Sequence, residues 1–346
     1  MNASEVGAAL KRRQLLSLLA LTGMAGCGTS PTPSGTPVST PSPAVTERLG
    51  SALTTTAAPP SAAPPSASPF PSPSATGKPG VMLGSYLALG GRTLRQSLAL
   101  RRSQLDREQR IVHRFYPWDG YVPTGEPDVA RSSLLMVSWH GAPWGGILDG
   151  GSDATIRSVA RKLKAMNRPI LLRWGWEMNG DWFDWSGAAN GRNPADYVRV
   201  WRRLREIFAD QGATNVSWIW SPNWNSSPAE PWNQVQRYYP GDDHVDWVGI
   251  SGYNFYGESP STLFGPVTRR YGGRKPIILS ETAAVQDKAR YIKRLHTWVA
   301  DTPAVRAVVW FDTDIQEGTD HDFRFDTDPS ALAAYRAMAR DPHFNA

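Results

Sequence analysis

Two glutamates stand where short apolar runs end. Glu177 follows the run 169–174 in Arg173-Trp174-Gly175-Trp176-Glu177-Met178-Asn179-Gly180, and Glu281 closes the run 276–281 in Leu279-Ser280-Glu281-Thr282. If both runs are strands of one parallel sheet, both carboxyls stand at carboxyl ends, where such sheets gather their chemistry. A facing pair of carboxyls is what cleavage of a glycosidic bond requires. One protonates the leaving oxygen while the other attacks the anomeric carbon or activates water. A separation of ~5–5.5 Å goes with retention of configuration and ~6.5–9.5 Å with inversion. The mechanism further requires the two groups to differ in protonation. Tryptophans and an opposing charge should raise the pKa of Glu177, leaving Glu281 as the anion.

Aromatic residues crowd these positions. Trp182, Phe183 and Trp185 follow Glu177; Trp218, Trp220 and Trp224 frame the run 215–221; Tyr253 and Tyr256 follow 245–251; Trp310 lies within 306–312. Sugar rings have apolar faces and polar edges, so flat aromatic walls with hydrogen bonds at the margin suit them. Packing between sheet and helices accounts for about half of the 15 tryptophans.

Eight apolar runs are expected as strands: 81–86, 111–116, 134–139, 169–174, 215–221, 245–251, 276–281 and 306–312. Most are continuous rather than alternating, as strands covered on both faces should be. Helical patterns lie between them at 93–109, 153–166, from Pro194 onward, and at 261–270, 287–299 and 329–339. Asn193-Pro194 reads as an N-cap followed by proline at the first helical position. The stripe Tyr197, Val198, Trp201, Leu204, Ile207 and Phe208 then opposes Arg199, Arg202, Arg203 and Arg205, which read as a solvated face. Strand–helix alternation repeated eight times over residues 79–346 implies an eightfold (β/α) TIM barrel, for which ~250 residues is typical.

The residues carry a resemblance. Trp176-Glu177-Met178-Asn179-Gly180 with Trp182-Phe183 and Trp185 resembles the acid/base segment of glycoside hydrolase family 26, which includes β-mannanases, mixed-linkage β-glucanases and β-1,3-xylanases. Trp220-Ser221-Pro222-Asn223, the stretch from Tyr238-Tyr239-Pro240 to Tyr253-Asn254, and Ser280-Glu281 follow in the family's order. The resemblance implies a retaining double displacement by an endo-acting enzyme on a β-linked polysaccharide, either β-mannan or β-glucan, without a cofactor. It makes Glu177 the acid/base and Glu281 the nucleophile, with Tyr253 hydrogen-bonded to that nucleophile and Trp310 part of the floor beneath the sugar. His140 becomes a sugar-binding histidine, and Asn179, Trp182 and Trp185 line the cleft. One departure stands out. The family's mannanases typically carry histidine immediately before the acid/base, where this chain has Trp176, which leaves β-glucan or another β-linked polymer open. Gly175 is expected to make room for that ring. The alternative in a different class is a non-catalytic carbohydrate-binding surface lipoprotein on the same barrel.

The N-terminal part reads differently. Lys11-Arg12-Arg13 precedes an apolar stretch from Leu15 to Leu21, and Met24-Ala25-Gly26-Cys27 resembles a bacterial lipobox. Residues 1–26 are therefore expected to be a signal peptide, by either the general or the twin-arginine route, with Cys27 lipidated. Residues 28–78 hold 12 of the 29 prolines and only Glu47, Arg48 and Lys78 as charges. Too poor in large apolar groups to offset ordering entropy, they read as a disordered tether that could reach at most roughly 160 Å. The implied location is the outer face of the cell membrane, held by lipid alone, or secretion.

Composition narrows the remainder. One cysteine excludes a disulfide framework and a multi-thiolate zinc site. The formal charge of +6 shrinks once Lys11, Arg12, Arg13 and Glu5 are set aside, so nucleic acid is not expected as a partner. The acids Asp312, Asp314, Asp320, Asp322, Asp326 and Asp328 do not reproduce a calcium loop, and no metal is expected. A monomer is expected.

Overall fold

The computed structural model describes residues 80–119, 121–316 and 320–344. The expected signal peptide, Cys27 and tether lie outside the described residues.

Eight parallel strands pair in chain order and close on themselves: β1 (Met82–Ala88), β2 (Ile111–Tyr116), β3 (Leu134–Trp139), β4 (Ile170–Trp174), β5 (Val216–Trp220), β6 (Trp247–Asn254), β7 (Ile277–Ala284) and β8 (Val305–Thr313). The helices are α1 (Leu94–Leu105), α2 (Trp144–Leu148), α3 (Asp153–Ala165), α4 (Pro194–Asp210), α5 (Pro260–Tyr271), α6 (Lys288–Ala300) and α7 (Pro329–Arg340). This is the expected TIM barrel. The connections after β2 and β5 carry no α-helix, and the latter is built of short 3-10 turns.

Local chemistry sets the helix ends. Thr93 caps α1 in a capping box with Gln96, and Asp106, in the left-handed region at φ 56°, ends it earlier than the sequence pattern predicts. Asn193 occupies the N-cap of α4 with Pro194 after it, although its side chain makes no capping bond. The α4 arginines are engaged as a surface face: Arg199 with Asp196, Arg203 with Asp153, Arg205 with Asp246, and Arg202 with the Pro240 carbonyl.

Two apolar layers follow from strand alternation. Ile111, Met136, Leu171, Ile219, Trp247, Ile278, Ala307 and Val309 fill the barrel interior. The opposite faces pack against the helices, and seven tryptophans (139, 144, 174, 201, 218, 220 and 310) are among the largest fully buried side chains. Trp218 and Trp220 belong to this outer layer, against Trp201 and Phe208 and against Tyr239 and Tyr271, so they do not frame the mouth.

Four of the six acids at and after the end of β8 are paired with cations. Asp312 forms a buried two-point ion pair with Arg101 of α1, whose guanidinium also meets Asp326. Arg324 joins Asp314 to Asp326, Lys288 takes Asp322, and Asp328 caps α7. This lattice fixes the segment after β8, so that Phe323 packs against Tyr253 and Phe311.

Candidate active site

Above the apolar interior, the next inward layer is polar. Period-two alternation along β4 turns Leu171 inward and then Arg173, a charge in an otherwise apolar strand. Arg173 is fully buried, and each of its three guanidinium nitrogens has a partner. Its Nε donates to Ser221 Oγ at 2.9 Å and its Nη1 to Ser138 Oγ at 3.2 Å and to Glu281, while its Nη2 donates to Ser251 Oγ. His113 sits beneath Ser138, 2.6 Å from its Oγ, and burial with the charge of Arg173 drives its pKa well down.

Glu281 reaches the site through an irregularity. Ser251 of β6 stands opposite Glu281 while Ile250 stands opposite Leu279, so Ser280 is an extra residue in the ladder. Ser280 Oγ consequently meets Ser221 Oγ inside the barrel at 2.8 Å, and the next residue, Glu281, also points inward. Thr282 returns to the outside and meets Tyr291. A bulge re-aims a side chain in this way. The Glu281 carboxylate accepts from Arg173 and from the Tyr253 hydroxyl.

Glu177 stands on a strained turn just past β4. Gly175 has φ 49° and Glu177 itself φ 54°, a conformation costly for a residue with a side chain. A Cβ on Gly175 would meet nothing closer than 3.7 Å, so this glycine is there for its positive φ and not to make room for Trp176. The turn is held by the Glu177 N–H donating to Ser221 O at 2.8 Å. The carboxylate accepts from the Trp182 indole at 2.9 Å. Desolvation, and then the negative charge of Glu281, raise its pKa to about 7. The positive charge of Arg173, which donates to Glu281, also acts on Glu177 against that rise, and both carboxyls are more than nine-tenths buried.

Of the other expected residues, Tyr253 stands beside Glu281 and donates its hydroxyl to it. Trp182 is half-buried beside Glu177, and Trp185 lies behind it, stacked on Phe183 at 4.1 Å with its N–H on the Trp176 carbonyl. Gly141 makes that packing possible, since a Cβ there would lie 2.3 Å from the Trp185 ring. His140 is half-buried, 5.3 Å from the rings of both Trp176 and Trp185, and burial lowers its pKa to about 4. Trp176 is closed in by Phe115, Phe183 and Trp185, with the Arg173 guanidinium over its ring at 5.1 Å.

Two further expectations are overturned. Asn179 does not line the cleft. It is fully buried, its amide donating to the carbonyls of Asn223 and Asn225 and its oxygen accepting from the Asn223 N–H, so it ties the loop after β4 to the loop after β5. Trp310 is not the floor. It faces outward, its N–H on the Phe323 carbonyl and its ring against Tyr291 and Tyr335. The inward residue is its neighbour Phe311, stacked on Tyr86 at 4.9 Å and edge-on to Tyr253. Tyr86, Phe115 and Phe311 make the β8–β1–β2 side of the mouth aromatic, while the ends of β3 to β7 supply its polar groups.

Sequence reasoning missed Arg173, the serines at its fork, and Phe311. A lone arginine at an inward position of an apolar strand was the available signal for the first.

The family model "Glycosyl hydrolase family 26" matches residues 150–324, which carry both glutamates. Endoglucanase H of Acetivibrio thermocellus is 32% identical over 253 residues, covering 66% of this chain and 27% of that protein. Beta-1,3-xylanase TXYA of a Vibrio species is 36% identical over 126 residues, 35% of this chain and 24% of that protein. Mannan endo-1,4-beta-mannosidase A of a Piromyces species is 32% identical over 129 residues, 37% of this chain and 18% of that protein. The chain thus spans about a quarter of the length of these curated relatives. A GH26 beta-mannanase from Bacteroides ovatus superposes with TM-score 0.59 at 16% identity, over 76% of this chain and 89% of that one, a likeness of fold. With the barrel closed as that fold requires and the match extending from α3 to the segment after β8, this chain belongs to glycosyl hydrolase family 26.

Proposed function

We propose that this chain is a retaining, endo-acting glycoside hydrolase that cleaves a β-linked polysaccharide, with Glu281 as nucleophile and Glu177 as acid/base. The supporting observation is the unequal treatment of two buried carboxyls that share Arg173 as a charged neighbour. Glu177 is raised to about 7, so it holds a proton for the leaving oxygen near neutrality. Glu281 is gripped by a guanidinium and a phenol, which orient it for attack. As the Glu281 oxygen bonds the anomeric carbon, the proton of Glu177 passes to the departing oxygen. Glu177 then takes a proton from the water that releases the glycosyl group. Losing the charge on Glu281 removes one cause of the raised Glu177 pKa, which favours the switch from acid to base.

The substrate is a β-mannan or β-glucan, with β-1,3-xylan as the other class cut by a named relative. Trp176, buried against Phe115, Phe183 and Trp185, stands where the family's mannanases typically carry histidine, and that departure favours glucan over mannan. Incubation with galactomannan, glucomannan, barley β-glucan, lichenan and β-1,3-xylan, with products resolved by length and by anomeric form, is the test. A ladder of intermediate oligosaccharides released first as β-anomers is expected; α-anomers would overturn retention, and single-residue products would overturn endo action.

Export and lipid attachment at Cys27, with the barrel carried off the membrane by residues 28–78, belong to the same proposal. Cys27→Ala should move the protein from the membrane fraction to the medium. Each catalytic group comes from one chain, so a monomer suffices.

A further inference from the structure

A run of aromatic rings leads outward from Glu281. Tyr253 donates to the carboxylate, Phe255 lies 5.7 Å from Tyr253, and Tyr256 lies 6.3 Å beyond Phe255. His321 flanks Phe255 at 5.4 Å. Tyr256 ends the run 70% exposed, one of three exposed large apolar side chains among the described residues.

A single exposed ring is ordinary. This one is held out by a built turn. Glu258 Oε2 accepts the N–H groups of Phe255 at 3.0 Å and Tyr256 at 2.8 Å, and Asn254 Oδ1 accepts that of Gly257 at 2.7 Å. Gly257 takes φ 97°, which few residues with a side chain adopt. Three backbone donors thus fix the segment that presents the ring, so a ligand there would lose little affinity to ordering it. Beside the ring opens a cavity of about 250 Å³, lined by the amides of Asn254 and Gln286, the carboxylates of Glu258 and Asp287, and the guanidinium groups of Arg290 and Arg294. A flat ring next to amides and guanidinium groups matches the apolar face and hydroxyl edge of a sugar. A protein partner would need roughly 800 Å² on this side, whereas the exposed apolar surface here is one ring.

We propose that Tyr256 and this cavity form a distal glycosyl-binding subsite for a neutral β-linked polysaccharide, continuous with the catalytic gap through Phe255 and Tyr253. The subsite rests on the proposed function, because it takes the same chain that the two glutamates cut. It holds the polymer away from the cleaved bond and so favours long substrates over short ones.

Affinity electrophoresis of Glu281→Gln protein in gels containing each polymer of the panel tests it, with Tyr256→Ala and Tyr256→Trp added in turn. Tyr256→Ala should weaken retardation roughly three- to tenfold, and Tyr256→Trp should restore it. In the active chain, Tyr256→Ala should raise KM for polymer, and the rise should shrink as oligosaccharides become too short to reach the rim. Equal retardation of the parent and Tyr256→Ala proteins, including none in either, overturns the subsite, as does a KM penalty independent of chain length. Loss of retardation in a chain that cleaves no polymer would overturn the hydrolase reading and leave the subsite standing. Cleavage with unchanged retardation would do the reverse.

Discussion

The indole N–H of Trp182 donates to the Glu177 carboxylate at 2.9 Å, and this bond favours the ionised form of a group whose burial favours the neutral one. The balance leaves Glu177 at about 7, so kcat/KM should fall as pH rises through that value and the leaving oxygen loses its proton donor. Trp182→Phe removes only the donor that stabilises the anion. The alkaline limb should therefore move to higher pH, as a pH–rate profile would show; a move to lower pH would mean the indole acts in another way.

The two carboxyls should fail differently when deleted. Glu177→Ala should slow substrates with poor leaving groups far more than activated aryl glycosides, whose first step needs no proton. Glu281→Ala should abolish turnover of both kinds. Removing a positioned acid costs roughly 10²–10⁴-fold. Equal losses for both substrate types in Glu177→Ala would remove it from the acid/base role.

Tyr253→Phe isolates the grip on Glu281. The phenyl ring keeps its packing against Phe255, Phe311 and Phe323 while the hydroxyl donor is lost. A hydrogen bond to a charged group contributes about 1.5–3 kcal/mol, so kcat/KM should drop roughly 10- to 100-fold. Thermal stability should change far less, and a matching fall in Tm would assign Tyr253 to packing instead.

Arg101 tests the support behind the mouth. It holds Asp312 and Asp326 in a buried fork, and the segment that carries Asp326 places Phe323 on Tyr253. Arg101→Met leaves Asp312 without its cation, a cost of about 3–5 kcal/mol. Urea unfolding should show that loss, and an unchanged midpoint would exclude the buried pair as a support.

The strands were legible because burial on both faces writes itself as continuous apolar runs; 111–116 and 134–139 match β2 and β3 residue for residue. Glu177 and Glu281 were legible as charges at the ends of such runs. The inward direction of Glu281 was not, since it depends on the extra residue at Ser280, and a one-residue offset between paired strands leaves no trace in composition. Asn179 was misread because a short polar residue beside an acid looks the same whether it bonds a ligand or a neighbouring loop. Arg173 went unread because an inward arginine inside a strand is justified only by partners drawn from β3, β5, β6 and β7, far away in sequence.

Parity along β8 decides the last prediction. Ala307 and Val309 fill the barrel interior, so alternation puts Phe311 inward at the mouth and Trp310 outward among Tyr291, Phe325 and Tyr335. A single step of register would exchange their roles. Phe311→Ala removes the ring that stacks on Tyr86 and meets Tyr253 edge-on, so it should impair catalysis directly, through KM for polymer and the orientation of Tyr253. Trp310→Phe keeps an aromatic in the outer layer but loses indole volume and the N–H bond to Phe323 O, costing roughly 1–3 kcal/mol of stability. KM should stay near the parent value at temperatures where that variant is folded. Kinetics and Tm measured on the two variants side by side separate the cases: if Trp310→Phe raised KM while Phe311→Ala only lowered Tm, the tryptophan would be the residue beneath the sugar after all.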